Sequence, residues 1–98
     1  MKLKAAYQFK RPEIEDRVKS AILKVMQKTV ALRKLDSFVS ILGFNSLRMV
    51  SLSLALEEEF GCQLLLNDWI ASADDPRDLT VGSIYDYVEK VLADGANS

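Results

Sequence analysis

The stretch LGFNSLRMVSLSLALEEEF, Leu42 to Phe60, places a serine, Ser46, at the head of a run whose apolar residues recur at helical spacing. A hydroxyl in that position has two uses: it caps the helix, or it accepts a covalent group from another protein. Catalysis by the chain's own nucleophile is excluded on composition. There is no histidine, so no Ser-His-Asp arrangement can form, and GFNSL is not a G-x-S-x-G elbow. Neither a Cys/His cluster for zinc nor a Gly-rich phosphate loop before a helix occurs. Asn45-Ser46-Leu47 lacks the hydroxyl residue that a glycosylation acceptor needs. If Ser46 has a chemical role, a second protein acts on it, and the positive end of the helix favours a negatively charged attachment there. The alternative is a plain N-cap supplied by Asn45 or Ser46.

The elements that would position Ser46 follow from periodicity. A helix is expected from Ser46 to Phe60, stopped by Gly61 in the left-handed cap position. Met49, Leu52, Leu56 and Phe60 form one stripe along it, and Leu47, Val50 and Leu54 form a second, rotated around the axis. One stripe suffices for a surface helix, so the second needs its own partner, either a central place in a bundle or an apolar ligand. An earlier helix is expected over 12–28. Pro12 suits its start, Glu13, Glu15 and Asp16 its first turn, and Lys24 and Lys28 its end, while Ile14, Val18, Ala21, Ile22, Val25 and Met26 mark one face. Between the two, Leu32, Leu35, Phe38, Val39, Ile41 and Leu42 keep no period, which predicts a long connection packed across the helices. After Gly61 comes an Asp-rich connection with one short helix through Trp69 and Ile70, capped by Asn67 or Asp68. Thr80 then caps a last helix marked by Val81, Ile84, Tyr85, Val88, Val91 and Leu92. No stretch alternates as a strand does. The expected fold is all-α: three main helices, one short helix and a long first loop, with residues 1–11 a flexible basic extension, 12–92 the domain and 93–98 a frayed tail.

Ninety-eight residues, 49% of them apolar, suffice for one domain with a single modest core. No run reaches the length of a membrane span, no secretory signal follows the basic start, and the lone Cys62 fits a reducing compartment; a soluble cytoplasmic monomer is expected. The net charge of −1 conceals an asymmetry, because residues 1–34 hold ten Lys/Arg and three Asp/Glu whereas residues 35–98 hold three and eleven. Arg17, Lys19, Lys24 and Lys28 are spread along one amphipathic helix with few aromatics, which reads as a solvated basic face set against an acidic half and not as a nucleic-acid surface.

Leu42-Gly43-Phe44-Asn45-Ser46-Leu47 resembles the Leu-Gly-x-Asp-Ser-Leu motif of acyl carrier proteins, and the likeness extends along the chain. DSFVSILG (36–43) resembles the loop before that motif, and ALEEEFG (55–61) the end of the family's second helix. LTVGSIYDYV (79–88) resembles the opening of its last helix, and PEIEDRVKSAI (12–22) its first, so the similarity spans roughly 12–92 with the element order kept. The resemblance implies a four-helix carrier bundle that is not itself an enzyme. Ser46 would carry a 4′-phosphopantetheine arm donated by coenzyme A, flanked by Asn45 and Leu47. Its partners would be a phosphopantetheinyl transferase and enzymes that load, elongate or transfer the acyl group. Val50 and Leu54, with Leu64, Trp69 and Ile70, would line the acyl pocket, where burial is worth about 0.8 kcal/mol per methylene. Leu52, Leu56 and Phe60 would hold the fold.

Two departures point to a specialised fatty acid, lipid or polyketide pathway. Asn45 stands where the family usually has Asp. Arg48 and Ser51 stand where it commonly has acids, leaving the acidity to Glu57, Glu58 and Glu59. Arg48, Ser51, Glu57 and Glu58 are therefore the expected partner-binding residues, since helix-face charges set partner choice more than affinity. Two other readings stand beside this one: a peptidyl or aminoacyl carrier of a synthetase system, and a helical interaction module that is never modified.

Overall fold

A computed structural model describes residues 9–96, with side chains as far as Asp94. Residues 1–8 of the expected extension and 97–98 of the expected tail lie outside the described residues. Among the described residues four helices follow in order: α1 Arg11–Met26, α2 Ser46–Phe60, α3 Asn67–Ala71 and α4 Val81–Ala96, with a 3-10 turn at Pro76–Asp78 before α4. No strand occurs among the described residues; the one β-bridge joins Ser37 to Thr80. The fold is a small all-α bundle, and no described helix is long and apolar enough to cross a membrane.

The α1 stripe packs against both other long helices. Ile14, Val18, Ala21 and Ile22 are buried with Leu52, Leu56 and Phe60 of α2 and with Val81, Ile84, Tyr85, Val88 and Leu92 of α4. α1 ends at Met26, two residues before its expected end. Gln27 turns into the left-handed region (φ 59°) and donates its N–H to the Leu23 carbonyl, closing the helix without a glycine. α4 instead runs on through residues 93–96, expected as tail. Phe9, at the end of the expected extension, is docked: its ring meets Phe60 edge-on at 5.2 Å, and the Arg17 guanidinium lies 5.0 Å over it.

The long connection packs as its apolar content requires, and backbone hydrogen bonds fasten it. Phe38 N–H donates to the Leu79 carbonyl, while Val81 and Gly82 donate to the carbonyls of Asp36 and Lys34. The connection thereby satisfies amides that the head of α4 would leave unpaired. Thr80 completes that cap as expected: its hydroxyl accepts from Ser83 N–H, and Ser83 Oγ accepts from Thr80 N–H. α3 departs from expectation, since neither Asn67 nor Asp68 caps it; Leu66 holds that position without a side-chain bond.

Arg11 ties α1 to α4. Its guanidinium reaches Glu15 at 2.7 Å and Asp86 and Glu89 at 2.8 Å. The hydrogen bond from Arg11 holds the Glu15 carboxyl below its ordinary pKa. Glu15 thus binds its proton less readily folded than unfolded. Its contribution is complete above the ordinary glutamate value and is lost as pH falls through the lower folded value. Arg11→Met is expected to reduce stability by about 1 kcal/mol at neutral pH, a figure kept small because much of the network is solvent-screened. The gap should narrow as pH falls from neutral through the lowered Glu15 value. Urea midpoints of both proteins across that range test this, and a constant gap would contradict the role given to Glu15.

Candidate functional site

The turn before α2 sets Ser46. Gly43 takes a left-handed conformation (φ 71°) that a side chain would strain, reversing the chain just before Phe44. Phe44 is buried edge-on against Phe38 (5.0 Å), and Phe38 in turn against Trp69 (5.2 Å). Phe44 N–H donates to the Phe38 carbonyl at 2.7 Å. This aromatic column fixes the approach to α2, and Asn45 follows as its N-cap, Oδ1 accepting from Arg48 N–H at 2.9 Å. Asn45 thus performs the capping. Ser46, the first helical residue, is exposed, and its hydroxyl has no hydrogen-bond partner among the described residues.

A groove of about 500 Å³ opens from Ser46. Met49, Val50, Ser53, Leu54 and Glu57 form its α2 wall, and Leu65, Leu66, Asn67 and Ile70 the facing wall. The walls are clamped together: Ser53 Oγ donates to the Leu64 carbonyl at 2.6 Å, and Glu57 accepts from Leu64 N–H at 3.3 Å. The Tyr87 hydroxyl holds the Leu65 carbonyl from α4.

The two apolar stripes of α2 separate in the fold. Leu52 and Leu56 are fully buried, whereas Leu47, Val50 and Leu54 remain 74%, 59% and 60% exposed, so the bundle itself does not cover the second stripe. Val50, Leu54 and Ile70 lie on the groove as expected. Leu64 and Trp69 do not, because both are core. Leu64 is fully buried, its backbone bonded to Ser53 and Glu57, whereas the next residue, Leu65, is largely exposed and lines the groove. Trp69 is closed in by Phe38 on one side, and its Nε1–H donates to Ser83 Oγ at 2.8 Å. Met49, expected on the first stripe, is only half-buried and lines the groove instead, and Ser53, Leu65, Leu66 and Asn67 are groove residues that periodicity did not assign to it.

Arg48, Ser51 and Glu58 come together with Leu47 on the other side of α2, and Glu57, which also borders the Ser46 groove, reaches the same space. With Lys24, Val25, Gln27, Leu54 and Ala55 they line a second, wider groove of about 810 Å³ against the C-terminal end of α1. Leu47 therefore sits across the helix from the Ser46 groove. The glutamates are partly engaged: Glu58 pairs with Lys24 at 3.1 Å and Glu59 with Arg17 at 3.6 Å. Cys62 is half-buried nearby, where burial and the Glu57 carboxylate push its thiol pKa up and make it a poor nucleophile.

Arg48 stands in the first turn of α2, which holds no acid, and the helix dipole there disfavours a cation. Arg48→Glu is expected to raise the unfolding free energy by about 0.3–1 kcal/mol. Thermal unfolding of the variant checks this; a lowered midpoint would mean that Arg48 serves the fold.

A scan against protein-family models finds no match for the chain, and a search of solved structures finds none either.

Proposed function

We propose that the chain is a carrier protein in which Ser46 bears a 4′-phosphopantetheine arm and the adjoining groove shields an acyl group. The observation that carries this reading is the division of labour at the head of α2. Asn45 caps the helix, and Ser46 is left with a free, exposed hydroxyl at the mouth of an apolar groove. The residues present fit such a group. Ser46 Oγ would be the point of attachment, and the positive amino-terminal end of α2 would favour the negative phosphodiester there. The arm supplies a thiol that holds acyl groups as thioesters. Val50, Leu54, Leu65 and Ile70 offer exposed apolar surface for the chain, at about 0.8 kcal/mol per methylene covered. Because this groove is open along one side, it would release the chain to a partner enzyme readily. The resemblance around LGFNSL supports the same reading, in a fatty acid, lipid or polyketide pathway or, as a variant, with an aminoacyl cargo.

Incubation with coenzyme A, magnesium and a phosphopantetheinyl transferase, followed by intact-mass measurement, tests it. One phosphopantetheine per chain is expected. An unchanged mass, under conditions where the transferase modifies a control carrier, would overturn the proposal. It would leave the unmodified interaction module, which the exposed Leu47 and Leu54 favour.

A further inference from the structure

The wider groove has a charge pattern that selects its occupant. Four charged side chains line it: Lys24, Arg48, Glu57 and Glu58. Three of them are engaged within the chain. Lys24 and Glu58 neutralise each other at 3.1 Å, and Glu57 accepts from the Leu64 amide. The Arg48 side chain alone of the four has no partner among the described residues. It stands on α2 beside Leu47 and one turn or more before Leu54, both largely exposed, with half-buried Val25 across the groove on α1. A cation kept where the helix dipole opposes it, with no internal partner, next to apolar surface that the bundle leaves uncovered, is a surface arranged for something outside the chain.

We infer that this groove docks an acidic amphipathic helix of a partner protein, which lays its apolar side chains over Val25, Leu47 and Leu54 and brings a carboxylate to Arg48. A trough between two helices suits a third helix presenting one apolar face. A basic helix would meet Arg48 directly, and the Glu58 carboxylate it would seek is already paired with Lys24. The polarity follows from the internal pairing, because glutamates already engaged contribute little to recruiting an outside cation. The inference concerns the protein surface alone and stands whether or not Ser46 is modified.

The test uses the full chain with Ser46→Ala, so that its outcome is independent of the carrier reading. Two synthetic helical peptides share one leucine face; glutamates flank it in the first and lysines in the second. The glutamate peptide is expected to shift the backbone amide signals of Val25, Leu47, Arg48, Ser51 and Leu54 and to bind at least about tenfold more tightly than the lysine peptide. Arg48→Gln should erase the preference and Arg48→Glu should reverse it, and high salt should weaken the preference of the unsubstituted and the Arg48→Glu chains. The inference is overturned if the lysine peptide binds as tightly or more tightly, if the shifts map to another face, or if neither peptide binds the folded protein.

Discussion

Leu56→Ala is expected to lower the unfolding free energy by about 2–5 kcal/mol, whereas Val50→Ala should change it by no more than about 0.5 kcal/mol. The two residues lie on the same helix and are both aliphatic, so their intrinsic chemistry does not separate them. Their surroundings do. Leu56 is fully buried in the cluster shared by α1, α2 and α4, and its truncation leaves a cavity that the neighbours cannot fill. Val50 is 59% exposed on the wall of the Ser46 groove, and its truncation removes contacts chiefly with water. Denaturant unfolding followed by Trp69 fluorescence gives both values in one experiment, since Trp69 is the only tryptophan. Similar losses at the two positions would contradict the separation of α2 into a structural and an available stripe.

Trp69→Ala should cost about 3–5 kcal/mol and should be felt far along the chain. The side chain comes from a five-residue helix with no side-chain cap, yet it closes the aromatic column that begins at Phe44 and it donates to Ser83 at the head of α4. Its removal therefore loosens the connection before α2, and the amides of Phe38 and Phe44 should exchange with solvent faster relative to those of α1. Trp69→Phe, which keeps a ring but not the indole donor, should cost less. Circular dichroism and amide exchange measure these effects. A small loss with unchanged exchange at Phe38 and Phe44 would mean that the column does not hold the connection.

The parts of this fold legible in the sequence are those fixed by local rules. α2 begins at Ser46 and ends at Phe60 as its apolar spacing and Gly61 indicate, and the Thr80 cap is likewise a local signal. The end of α1 was less legible because Gln27 adopts a conformation that its residue type does not advertise. The fastening of the long connection was not legible at all. It depends on backbone groups of Lys34, Asp36 and Phe38 meeting residues 79–82, and backbone pairing leaves no mark on side-chain periodicity. The same limit explains the groove. Leu64, Leu65 and Leu66 are identical in type, so only the course of the backbone decides which of them faces the core. The resemblance places Trp69 at the pocket, but its size and its indole donor are satisfied inside the bundle. The spacing of Arg48, Ser51 and Glu58 is compatible with one side of α2, whereas the reach of Glu57 to both grooves and the pairing of Glu58 with Lys24 required the fold.

The central claim concerns one hydroxyl, and the measurement that tests it most directly is the location of the group after reaction with coenzyme A and a phosphopantetheinyl transferase. Ser51 and Ser53 lie on the same helix and serve as internal controls. Peptide mapping of the reacted chain by tandem mass spectrometry should find the phosphopantetheine on Ser46 and on neither of these. The Ser46→Ala chain should fold with an unchanged thermal midpoint and take up none. Modification of another serine, or continued uptake by Ser46→Ala, would contradict the account, because the free hydroxyl at the mouth of the groove would then not be the one the transferase uses.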